Sequence, residues 1–339
     1  MYKIKKHLTL FTCLITMSLP SYASFEEVFK QCLFERIDVV DKTQTLQDIE
    51  SYCEKQVLKE EVGNENSGAL SRRLIKERKT AFNPYVITPH KMNYILPVLV
   101  TDGINTQAYK DAGNWSEELK DVEAKFQLSL KIPLTLGSIL NKGDQLFFAF
   151  TIESWWQAYT NSLSSPFRET NYQPEFFYFT PISWHPFEGN SALRFGAEHQ
   201  SNGRAQSQLL SRSWNRVYIT YLYEKDNLAL SFRPWYIISD GDKKTTAEVS
   251  AADNPDIADY MGHFELTVAY YLDKDYEFSI MTRRNFATSN GAIELGVTFP
   301  LWGKLRGYAQ YFNGYGDSLI DYDYSQQHIG IGIALTNLL

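Results

Sequence analysis

The sequence predicts an all-β fold: an antiparallel transmembrane β-barrel of about twelve strands, preceded by a short helical N-terminal periplasmic segment. Three observations carry that reading. Segments of about ten residues alternate apolar and polar side chains, the period of strands with one face in lipid and one in a polar lumen. The connections between them run alternately short and long, as where tight turns line one rim and loops the other. Beyond residue 23 no apolar run nears the ~20 residues of a membrane helix. A closed barrel needs none, because its strands pair every backbone donor and acceptor.

Residues 1–23 read as a signal peptide. Lys3, Lys5 and Lys6 give the charged start, "LTLFTCLITMSL" (8–19) the apolar middle, and "SYA" (21–23) the small residues before a cleavage site. A lipoprotein signal fits less well, since Cys13 sits inside the apolar middle. Export leads to an oxidising compartment. Cys32 and Cys53 then remain, either as a structural disulfide or as two free thiols. Residues 24–81 are charged, and Phe25, Phe29, Cys32 and Leu33 recur at helical spacing. This periplasmic N-terminal segment receives no role.

The barrel is assigned to residues 82–339, with strands near 90–100, 122–133, 144–157, 172–182, 191–200, 214–223, 227–237, 261–272, 275–285, 290–299, 304–314 and 327–338. "KFQLSLKIPL" (125–134) sets Phe126, Leu128, Leu130 and Ile132 against Lys125, Gln127, Ser129 and Lys131. "HFELTVAYYL" (263–272) alternates likewise, and "IELGVTFPLW" (293–302) and "IGIGIALTNLL" (329–339) use Gly in the second row. "EKDN" (224–227), "DKD" (273–275) and "PLWGK" (300–304) are short turns. Trp155, Trp156, Trp184, Trp214, Trp235 and Trp302 lie near strand ends, where interfacial aromatic girdles belong.

One hairpin carries a chemical pattern. In "LRFGAEHQS" (193–201), Arg194 and Glu198 share a row that hydrocarbon would not accept, so that row faces the lumen. Leu193, Phe195, Ala197, His199 and Ser201 then face lipid. In "WNRVYITYLY" (214–223) the outward row is Asn215, Val217, Ile219 and Tyr221. The hairpin therefore sets His199, Ser201 and Asn215 together on the outer surface at the loop end. Ser, His and Asn can act as nucleophile, base and orienting group. Their bland alternative is a polar strand end.

The runs "HQSNGR" (199–204) and "SRSWNR" (211–216) resemble the signature of the outer membrane phospholipase A family. So do "SWWQ" (154–157) with "SSPFRETNY" (164–172), "DNPDI" (253–257) with "YMG" (260–262), and "GYGDSLIDY" (314–322). The resemblance runs from about residue 82 to the C-terminus. It implies a twelve-stranded barrel in the outer membrane of a Gram-negative bacterium. The implied activity is calcium-dependent hydrolysis of phospholipid and lysophospholipid acyl esters at sn-1 and sn-2, by a reversible homodimer. It assigns Ser201 as nucleophile, His199 as base, Asn215 as orienter and the Gly203 N–H as oxyanion donor. It implies Ca²⁺ on the Arg204 carbonyl, Ser211 and Ser164 of the partner subunit, with Asp253 a ligand in the monomer. Three features depart from the family pattern. The insert "AQSQLL" (205–210) is two residues longer, Ile152 replaces an interface Gln, and the chain ends in Leu339 rather than Phe.

Charge narrows the partners. Against 33 Lys and Arg stand 40 Asp and Glu, a net charge of −7, which disfavours nucleic acid. Membrane phospholipids are the expected substrate. The competing reading is a non-enzymatic barrel, a porin or structural protein, with Arg194, Glu198 and Arg216 lining a pore.

Overall fold

The computed structural model describes residues 25–37, 44–62, 68–80, 83, 85–112, 114–135, 138–163, 166–204, 210–238, 254–272, 276–303 and 305–336. The expected signal peptide and Leu339 lie outside them. Three helices come first: α1 (Phe25–Ile37), α2 (Leu46–Val62) and α3 (Ala69–Lys79). Cys32 of α1 is bonded to Cys53 of α2, so the two cysteines are a disulfide rather than free thiols.

The strands follow: β1 (Thr88–Pro89), β2 (Tyr94–Thr101), β3 (Val122–Pro133), β4 (Gln145–Trp156), β5 (Phe167–Ile182), β6 (Asn190–Ser201) and β7 (Ser213–Lys225). After them come β8 (Leu228–Ile238), a short helix α4 (Ile257–Met261), β9 (Phe264–Leu272), β10 (Tyr276–Arg284), β11 (Gly291–Trp302), β12 (Leu305–Tyr315) and β13 (Ser325–Ala334). Each of β2 to β13 pairs antiparallel with its chain neighbours, and β13 returns to β2 with Ile329 opposite Val100. The ring is therefore closed and twelve-stranded, as the alternation predicted. The strand expected from residue 90 is split. Thr88 and Pro89 pair with β3, and the chain then leaves the ladder until Tyr94. In that gap Asn93 uses its side chain on Ser129, accepting from Ser129 N at 2.5 Å and donating to Ser129 O at 3.2 Å.

The two rows part as expected. Phe176, Phe195, Ile219, Tyr236 and Ile329 are exposed on the outside, where lipid would cover them. The lumen is packed with charge. Arg168 meets Glu123 at 2.8 Å and Asp321 at 2.7 Å, and Lys125 lies 3.0 Å from both Glu153 and Asp317. Glu198 binds both Arg216 and Arg233. Three of the six tryptophans expected in girdles belong here instead. Trp155, Trp214 and Trp235 are buried, whereas Trp156, Trp184 and Trp302 are exposed. Nearness to a strand end does not fix a face; parity does. Trp214 and Trp235 lie on the inward row beside the Arg216 guanidinium, 4.0 and 5.1 Å from it, a cation–π arrangement worth more without competing water.

Chain folds over this core at both rims. At the short-turn rim, Leu70 and Leu74 of α3 pack on the main apolar cluster, while Ser71 donates to Glu224 and Arg73 to the Pro89 carbonyl. Helix α3, the last part of the segment left without a role, thus packs into the barrel mouth. At the long-loop rim, the chain between β12 and β13 folds inward. Asp317 accepts from Trp155 Nε1 at 2.8 Å and His328 Nε2 at 2.9 Å, and Leu319 N donates to Asn171 at 3.0 Å. Ile320 and Tyr109 complete a small cluster with Leu210, which belongs to the β6–β7 loop.

Candidate active site

The β6–β7 hairpin builds the site. Its register sets His199 opposite Asn215 and Ser201 opposite Ser213. Inward Glu198 and Arg216 are locked in lumen pairs, which forces His199 and Asn215 to the outer face by strand alternation. There His199 Nδ1 donates to Asn215 Oδ1 at 2.8 Å. This leaves Nε2 as the imidazole's acceptor. Ser201 lies two residues along the same outward row. His199, Ser201 and Asn215 are all half-buried.

The neighbours make this face apolar. On β5, Tyr172 pairs with Ser201 and Glu175 with Glu198, so Pro174 stands opposite His199. The ladder lapses there, since proline has no N–H to donate. Gly196 makes room on the other side of the sheet: a Cβ there would lie 2.3 Å from the Tyr218 hydroxyl, which donates to Glu175. Tyr172, Phe176, Phe195, Val217 and Ile238 give the outer surface around His199 its exposed apolar area.

Beyond Ser201 the loop is held by Asn202, which is buried. Its Oδ1 accepts from Arg212 N at 3.0 Å and Arg204 N at 3.4 Å, and its Nδ2 donates to Leu210 O at 2.7 Å. One side chain therefore staples both ends of the loop. Gly203 has φ +67°, a left-handed conformation suited to glycine, and a Cβ there would lie 3.0 Å from the Tyr172 ring. Ser211 follows Leu210 at the stapled end. In the sequence Asn202 stood only inside the HQSNGR run and Tyr172 only at the end of SSPFRETNY, neither with a role. The signal for Asn202 was its place between Ser201 and Gly203, since Asn bonds nearby backbone in turns.

The four expected cation ligands fare unequally. Ser164 and Asp253 lie outside the described residues, as does most of the insert 205–210. Arg204 and Ser211 are brought close, because Arg204 N and Arg212 N share one acceptor. Among the described residues no cluster of His, Cys, Asp and Glu could hold a metal. The donors at hand are a carbonyl and a hydroxyl, oxygen ligands of the type a hard cation takes. Asn254, which follows Asp253 in the chain, donates to Ser213 O at 3.4 Å. Asp256 accepts from the Tyr322 hydroxyl at 2.5 Å, and burial together with that bond pushes the Tyr322 pKa upward.

The chain is similar to known proteins over most of its length. The family described as phospholipase A1 matches residues 70–335. That match begins at α3, earlier than the motifs alone indicated. A phospholipase A1 of Proteus vulgaris is 38% identical over 276 residues, covering 80% of this chain and 88% of its own. That of Escherichia coli K12 is 36% identical over 273 residues, covering 80% and 88%. The solved outer membrane phospholipase A from Escherichia coli superposes with a TM-score of 0.69 at 36% identity, covering 76% of this chain and 95% of that one. The Salmonella typhi outer membrane phospholipase, solved as a dimer with bound calcium, gives 0.69 at 36%, covering 76% and 94%.

Proposed function

The chain belongs to the phospholipase A1 family and is an outer-membrane phospholipase, and from that premise we propose that it cleaves acyl esters at sn-1 and sn-2 of phospholipids and lysophospholipids with Ser201, His199 and Asn215. The observation that carries this reading is the 2.8 Å bond from His199 Nδ1 to Asn215 Oδ1 on the lipid-facing row that also holds Ser201. Asn215 fixes the imidazole with Nε2 free to accept. His199 takes the Ser201 proton as Oγ attacks the ester carbonyl. The Gly203 N–H receives the oxyanion. His199 returns the proton to the leaving glycerol oxygen, and water then releases the fatty acid from Ser201 by the same route. A nucleophile facing lipid meets acyl esters before any soluble substrate.

Ca²⁺ fits the oxygen donors that Arg204 and Ser211 offer, and when bound it supplies positive charge near the developing oxyanion. Ser164 of the partner subunit would complete that site in a homodimer, with Asp253 serving the monomer. Ile152 lies on the outward row of β4 opposite Tyr172, so an apolar residue occupies the expected contact. Residues 1–23 would be removed on export.

The test uses purified protein in detergent micelles with phospholipid, wild type beside Ser201→Ala. The expected result is hydrolysis by wild type alone, lost on chelation and restored by calcium, with cross-linked dimer rising as calcium is added. Activity retained by Ser201→Ala would remove the nucleophile from the scheme, and activity indifferent to chelator would remove calcium.

A further inference from the structure

A defect in β5 faces the catalytic loop. Trp155 of β4 pairs with Glu169 and Trp156 with Phe167, so Arg168 is the extra residue of a β-bulge. The bulge turns two consecutive charged side chains inward, and Arg168 and Glu169 are both fully buried. It also takes the Arg168 carbonyl out of the ladder. Arg204, one residue past Gly203, reaches across and occupies that position: its Nη2 donates to Arg168 O at 2.7 Å, and its Nε lies 3.6 Å from Glu169 Oε2. Glu169 is itself fixed from the lumen. Asn171 Nδ2 donates to Glu169 Oε1 at 2.9 Å, and Asn171 in turn accepts from Leu319 N in the inward-folded β12–β13 loop.

We propose that Glu169 is a positioning residue for ester hydrolysis: it holds the Arg204 side chain against the β5 bulge and thereby fixes the peptide planes on either side of Gly203. This rests on the reading of Ser201 and the Gly203 N–H given above. The Asn202 staple ties the loop to β7 at its base and reaches the Gly203–Arg204 plane through one long bond, Arg204 N to Asn202 Oδ1 at 3.4 Å, but it does not place the Arg204 side chain. The Arg204 anchor on β5 is the second point of attachment. Two points on opposite sides of Ser201 define an orientation that one cannot. A buried carboxylate is otherwise expensive, and Arg204 offsets part of that expense while it stays in place. The GYGDSLIDY run acquires a use in this scheme, since Leu319 secures Asn171 and Asn171 secures Glu169.

The test compares Glu169→Gln, Arg204→Met, their double variant and Ser201→Ala at saturating calcium, with folding checked by migration of unheated protein in detergent gels. Each single change should lower kcat about tenfold while KM stays within about twofold, since a misaimed oxyanion donor affects the transition state alone. The double variant should be no slower than either single one, because both break one link. If Glu169→Gln fails to fold, Arg204→Met, a change at a half-buried loop residue outside the lumen ion pairs, decides. Wild-type kcat in Arg204→Met, or losses that multiply in the double variant, would overturn the proposal. Activity in Ser201→Ala would instead overturn the hydrolytic scheme on which it rests.

Discussion

His199 can use its ring as a base only if one nitrogen is committed elsewhere, and Asn215 provides that commitment. An amide carries no charge, so its contribution is one hydrogen bond, worth roughly 1–3 kcal/mol when a buried partner is lost. Converted to rate, Asn215→Ala should lower kcat by about ten- to a hundredfold. Ser201→Ala and His199→Ala should fall much further in the same initial-rate assay. Equal losses for all three would show that Asn215 does more than orient. At this scale much was legible. Arg194 and Glu198 cannot face hydrocarbon, so two residues settled the direction of the whole row. Glu169 was not legible, since its partner Arg204 is 35 positions away, on the loop that follows Ser201, and nothing in the sequence marks the bulge at Arg168 against which the two meet.

Helix α3 shows what an element adds that its sequence does not announce. Phe25, Phe29, Cys32 and Leu33 at helical spacing suggested that the charged segment is helical, but nothing in "ALSRRLIKERK" says that a barrel mouth receives it. Its seat depends on partners in distant strands: Glu224 for Ser71, Pro89 for Arg73, and Lys131 for Glu77 at 2.7 Å. Burial, the largest influence on the Glu77 carboxyl, pushes its pKa up, yet Lys131 and Arg73 together hold it below the ordinary glutamate value. A carboxyl so depressed stabilises the docked helix fully above its unfolded-state pKa of ~4.3 and loses that contribution as pH falls through the folded value. Protection of the α3 amides from hydrogen exchange, taken relative to the intrinsic exchange rate at each pH, should therefore be high at neutral pH and fall below about pH 4. Glu77→Gln should expose α3 to trypsin already at pH 7, because it leaves the buried Lys131 ammonium without its carboxylate, a loss of about 3 kcal/mol. Equal protection of wild type and variant at pH 7 would mean that Leu70 and Leu74 seat the helix without the ion pair.

The barrel as a whole is filled rather than hollow. An internal cavity of about 340 Å³ remains, lined at one end by Leu70 and Leu74 and at the other by Asp317 and Leu319. Alternation and loop lengths announced the closed ring, because closure is required wherever strand edges would meet lipid. They could not announce the filling. Lumen charges such as Arg216 read equally well as the lining of a pore, and only the pairing of Glu198 with two arginines separates the cases. Arg168 is the node of the network at the long-loop rim, joining Glu123 on β3, Asp321 of the inward loop and the Tyr109 hydroxyl. Arg168→Met would leave two buried carboxylates facing each other with no cation between them, and removing one partner of such a group costs roughly 3–5 kcal/mol. That loss should appear as a lower urea midpoint for unfolding in lipid vesicles. Because Arg168 also gives its carbonyl to Arg204, the variant should lose kcat as the inward loop loosens. Replacing Glu123 and Asp321 by Gln and Asn in the same chain should recover most of the stability, since no unpaired charge then remains. A urea midpoint equal to wild type in Arg168→Met would show that water already reaches these carboxylates, and that the lumen is open where its ion pairs were taken to close it.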